Sequence, residues 1–121
     1  MIPERIQLKR VRGWCQPDGT IRCCRPTKWG NPFRIVRARG RWHIESELRT
    51  YTMTVDFESE ELAVRCAIDL HRKALLLIGG LPVDADDVRR DLKPAKFLGC
   101  WCKSTDPCHV DNYLAVLRGE L

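Results

Sequence analysis

One amphipathic stripe constrains the fold most. Leu62, Ala63, Cys66, Ala67, Leu70, Ala74 and Leu77 recur at the three-to-four spacing of a helix with one buried face. Ser59 is placed as N-cap, and Glu60 and Glu61 complement the positive helix end. Gly79-Gly80 and Pro82 stop the helix. A buried stripe needs other layers to cover it, and the strand signals lie mostly before it. Arg5 to Val11 alternates as a strand, Gln16-Pro-Asp-Gly19 has the chemistry of a turn, and Thr20 to Cys24 is β-prone. Arg25 to Phe33 (RPTKWGNPF) reads as a specific loop. Residues 34–38 and 41–44 flank Arg39-Gly40 as a hairpin with a charged outer face.

After the long helix, Asp84 can cap a shorter one through Leu92, and Lys96 to Trp101 reads as a buried strand. Asp106 as N-cap and Pro107 at the first helical position predict a last helix to Leu117. The order predicts a small single domain over residues 1–121 of α/β or α+β class, a mixed sheet with about three helices.

Composition matters at two points, a net charge of +5 and seven cysteines. Residues 1–49 carry a net +8 and residues 50–91 a net −4. That asymmetry fits either an anionic partner for the front or two surfaces of one domain that attract each other. Zinc-finger spacing, an RNP motif and a basic-zipper heptad are all missing from the sequence. The longest apolar run, residues 74–78, is far too short to span a bilayer, and the first residues lack the apolar core of a signal peptide. The expected compartment is a reducing cytoplasm, without membrane attachment, where cysteines stay thiols or bind metal. Cys66 reads as a small core residue, and Cys15, Cys23 and Cys24 as structural. His43 and His71 read as surface or packing residues.

The sharpest constellation is Gly99-Cys-Trp-Cys-Lys-Ser-Thr-Asp-Pro-Cys-His-Val-Asp111. On a strand, Cys100 and Cys102 share one face. A helix starting at Pro107 puts Cys108 and His109 in its first turn, where the dipole lowers a thiol's pKa. Three chemistries fit. One is a ligand or catalytic pocket without a cofactor, with Cys108 as nucleophile and His109 or Asp111 as acid/base. The second is a zinc site of Cys100, Cys102, Cys108 and His109, although C-x-C-x5-C-H departs from the usual C-x2-C knuckle. The third is a buried strand and a capped helix with no ligand.

RIQLKRVRGW (5–14), RPTKWGNPF (25–33) and LGCWCKSTDPCHVD (98–111) together resemble the domain-of-unknown-function family 4326. Its members are small proteins of actinobacteria and their phages, and Val110 stands where many have glycine. The resemblance carries no known reaction. It implies that the front loop and the C-terminal loop serve one site. The residues agree: Arg25 and Lys28 offer contacts to phosphate or carboxylate, and Trp29 a stacking face. Gly30 permits close approach, and Asn31 supplies a donor and an acceptor. The same loop also fits a rigid plug in which Trp29 and Phe33 fill the core. The expected partner is a nucleotide-like small molecule or a nucleic acid, bound or processed between residues 25–32 and 108–111. The alternative is a non-enzymatic, zinc-stabilised module that binds nucleic acid or a host protein.

Overall fold

The computed structural model describes residues 2–46, 56–77 and 79–121. Ile78, the end of the apolar run, lies outside them. Among the described residues the strands divide into two three-stranded sheets, and the fold is α+β. One sheet is parallel, ordered β1 (Glu4–Gln7), β6 (Phe97–Cys100), β2 (Thr20–Arg22). The other is antiparallel, ordered β3 (Phe33–Ala38), β4 (Arg41–Ser46), β5 (Asp56–Phe57).

The predicted apolar strand at 96–101 becomes the centre of the parallel sheet, with Leu98 fully buried. Gly99 gives the Leu8 side chain room there, since a Cβ would stand 2.7 Å from Leu8 Cδ2 and make that side chain shift. β1 and β2 are shorter than the patterning suggests, but backbone pairing outlasts them. The Leu8 N–H donates to Cys100 O at 2.8 Å and the Cys23 N–H to Gly99 O at 2.7 Å. All three strands therefore end together, at Leu8, Cys23 and Cys100. The β3–β4 hairpin turns as expected at Arg39 (φ 53°) and Gly40 (φ 75°), two successive left-handed residues that match the twist of the strands.

Helix α1 (Glu60–Leu76) starts as its sequence dictates, with the Ser59 hydroxyl accepting from the Leu62 N–H at 3.2 Å. Its buried spine is Ala63, Ala67, His71 and Leu75, rotated from the predicted stripe, and Leu62 and Leu77 face solvent. The helix packs on β3 and β4. Helix α2 (Ala85–Asp87) is closed by a capping box between Asp84 and Asp87 and widens into a π turn over Val88–Leu92. Helix α3 (Val110–Leu117) packs on that turn and on α1. Leu8, Ile44, Leu92, Leu98 and Tyr113 belong to one core. No helix among the described residues is long and apolar enough to cross a membrane.

Candidate functional site

The C-terminal edge of a parallel sheet is where strands stop and loops begin, and ligand sites in open α/β sheets gather there. β6 ends at Cys100, and the chain bends at Trp101–Cys102 instead of continuing as a strand. The bend brings Cys102 back toward Cys100, with the two Sγ atoms 3.8 Å apart. Cys108 joins them, and all three sulfurs lie within 4.8 Å of one another. All three are free thiols, spaced to hold a metal ion such as zinc.

The predicted helix start at Asp106–Pro107 is displaced to Val110, because Arg5 and Asp111 organise the preceding segment. The Arg5 guanidinium, only 10% exposed, donates to both Asp111 oxygens at 3.1 Å. It also donates to the carbonyls of Lys103 (3.1 Å), Ser104 (2.6 Å) and Asp106 (2.7 Å). Asp111 accepts from the Cys108 N–H at 3.1 Å, the bond expected of a cap at Asp106. Cys108 thus precedes the helix and lies outside its first turn. Hydrogen bonding to Cys100 and Cys102, then burial, pushes Cys108 up. Hydrogen bonds from the Cys102 and Cys108 thiols hold Cys100 far below the ordinary thiol range.

His109 is 7% exposed, with Nε2 facing Cys23 O (2.6 Å) and Trp29 O (3.0 Å). Carbonyls only accept, so Nε2 carries the hydrogen and Nδ1 keeps its lone pair. Nδ1 lies 3.6 Å from Cys108 Sγ. A second histidine anchors this arrangement from below. His71, fully buried on α1, accepts from Asn112 Nδ2 at Nδ1 (3.0 Å) and donates from Nε2 to the Tyr113 hydroxyl (3.1 Å). Tyr113 in turn donates to Trp29 O at 2.7 Å. Burial keeps both histidines neutral, with His71 down to about 3. Residue spacing places His71 on the packed helix face but does not reveal its partners, which come from other elements.

The RPTKWGNPF loop divides. Trp29 is 5% exposed and packs edge-on against Tyr113 at 5.7 Å, so it fills the core and offers no stacking face. Gly30 serves the loop itself: a Cβ there would lie 2.8 Å from Arg25 N. Asn31 donates to Ala67 O (3.3 Å) and accepts from the Phe33 N–H (3.0 Å), tying the loop to α1 and β3. Lys28 sits over the Trp29 ring at 5.2 Å and opens onto a depression beside Pro82, away from the thiols.

Arg25 and Asn31 do meet the C-terminal loop. They line a cavity of about 460 Å³ together with Cys100, Cys102, Cys108 and His109. Phe33, Ile35, Val64, Ala67 and Ile68 form its apolar wall. Arg10 and Trp101 also line it, with the Arg10 guanidinium 4.5 Å over the indole and Arg22 at 5.6 Å. These two put a cation and an aromatic ring on the cavity, where Lys28 and Trp29 do not stand. Their signal in the sequence is slight, an arginine just past a strand and the tryptophan between two cysteines. Asp111 is outside the cavity lining, engaged by Arg5 and the Cys108 N–H.

The chain belongs to the family described as Domain of unknown function (DUF4326), which matches residues 6–119. No curated protein and no solved structure is significantly similar to it.

Proposed function

We propose that this protein binds a small nucleotide-like anion in the cavity between the 25–31 loop and the C-terminal edge of the parallel sheet. The observation that carries this reading is the convergence of Arg10 and Arg25, from separate loops, on one concave site with an apolar wall. Two guanidiniums on one cavity, with no carboxylate among its lining residues, favour an anionic ligand. Guanidinium recognises phosphate or carboxylate through paired N–H donors. Arg25 spends an N–H on Asn31 O at 3.2 Å, which fixes the side chain, and its remaining donors suit an anion. Trp101 and the wall of Phe33, Ile35 and Ile68 suit a flat, weakly polar body such as a nucleobase. The volume is that of a small-molecule site, too small for a folded partner.

The test is calorimetric titration with nucleoside mono- and triphosphates and with inorganic phosphate. A nucleotide is expected to bind more tightly than phosphate alone. Arg10→Gln and Arg25→Gln should each weaken it about tenfold, the size of one charge-assisted hydrogen bond. Failure of every nucleotide to bind at millimolar concentration contradicts the proposal.

A further inference from the structure

We propose that Cys100, Cys102 and Cys108 hold one zinc ion in this cavity, with His109 Nδ1, 3.6 Å from Cys108 Sγ, as the nearest fourth donor, an inference independent of the nucleotide reading. The geometry comes first. Zinc–sulfur bonds of about 2.3 Å at tetrahedral angles set sulfurs about 3.8 Å apart. The Cys100–Cys102 separation is 3.8 Å. With a zinc–nitrogen bond of about 2.0 Å, the sulfur–nitrogen edge is about 3.5 Å. Cys108 Sγ and His109 Nδ1 stand 3.6 Å apart.

The surroundings are those a thiolate-bound ion needs. Backbone N–H groups of Cys102 and Val110 point at the sulfurs of Cys100 and Cys108. The carbonyls of Cys23 and Trp29 hold the His109 ring in the tautomer whose lone pair faces the thiols, as carbonyl partners do for metal-bound histidines. Arg5 fixes the loop between Cys102 and Cys108 and brings a positive charge near the cluster. Three soft sulfurs and one imidazole select zinc over magnesium or calcium. The unusual C-x-C-x5-C-H spacing is explained by the bend at Trp101–Cys102, which folds back what a straight strand would separate. The ligands come from the end of β6, the bend after it and the turn before α3, so the ion would fasten these three segments together.

The test is metal analysis of the whole chain purified from zinc-replete cells, followed by chelation and replacement with cobalt(II). The expected result is about one zinc per chain and a cobalt spectrum with thiolate charge-transfer and tetrahedral bands. Cys102→Ser should lose about a third of the charge-transfer intensity, and His109→Gln should bind cobalt at least tenfold more weakly, as even outer contacts do when removed. Cys15→Ser, at an exposed thiol, should change neither. If Cys102→Ser fails to fold, chelator competition on the unmodified chain decides alone. Zinc below a tenth per chain, stoichiometric iron instead, or an octahedral cobalt spectrum overturns the proposal. Nucleotide titration of the same preparations separates the two readings, because a chain that comes from zinc-replete cells without zinc and still binds nucleotide overturns only the metal site. A zinc-loaded chain that ignores nucleotide overturns only the ligand.

Discussion

Residues 25–33 and residues 100–109 are both dense in polar and aromatic groups, yet they spend them differently. In the first loop, Trp29 is in the core, Asn31 bonds α1 and β3, and Gly30 makes room for the Arg25 backbone. Only the Arg25 guanidinium reaches the cavity as a charge. In the second loop, the backbone carbonyls are satisfied by Arg5, and the side chains of Cys100, Cys102, Cys108 and His109 face the cavity. A motif signals a ligand only where its hydrogen-bonding capacity is not already used by the fold.

The largest effect should come from breaking the first loop. Trp29→Ala removes a buried indole and is expected to cost about 3–5 kcal/mol in urea unfolding. A nearly neutral substitution would mean that Trp29 is not the plug described here. Arg5→Ala strikes the support of the second loop and strands three carbonyls and Asp111. A loss of about 2–4 kcal/mol is expected, with the amides of residues 103–109 exchanging faster with deuterium. Unchanged exchange there would show that the loop holds itself.

The buried network joining the two loops gives a smaller, pH-dependent effect. His71 titrates at about 3 in the fold against 6.5 ordinarily, because burial disfavours its charge. Below about pH 6.5 the unfolded chain takes up a proton that the folded chain refuses until about pH 3, so stability falls across that window as pH drops. The expected slope is about 1.4 kcal/mol per pH unit for one histidine, and His109 acts in the same direction. Urea midpoints that stay flat from pH 7 to pH 4.5 would contradict a neutral buried His71. The smallest effect belongs to Lys28→Ala, within about 0.5 kcal/mol and without change in ligand affinity. A clear loss of affinity would return Lys28 to the site.

Much of this was legible in the sequence. The Ser59 cap, the 39–40 turn and the buried strand before Cys100 follow from local chemistry, and the three motifs carry the family. The convergence of Arg25 and Cys108 on one cavity was foreseen as well. Local rules failed where a distant side chain intervened. Asp106-Pro107 is a good helix start, but Arg5 claims the surrounding carbonyls and Asp111 takes the Cys108 N–H, and α3 begins at Val110. That local reading puts Cys108 in the first helical turn, whereas the structure leaves it ahead of α3, beside Cys100 and Cys102. Trp29 and Trp101 look equally available in sequence, and only tertiary packing buries one and leaves the other on the cavity.

Those two tryptophans provide the most direct test of the account. Each of the four tryptophans in the chain has an indole N–H that proton–nitrogen NMR resolves. On titration with a nucleoside monophosphate, the Trp101 indole should shift progressively to saturation, together with the Arg10 and Ile35 amides. The Trp29 indole and the Lys28 amide should stay in place. Saturable shifts centred on Trp29 and Lys28, with Trp101 unmoved, would contradict the division between scaffold loop and site loop.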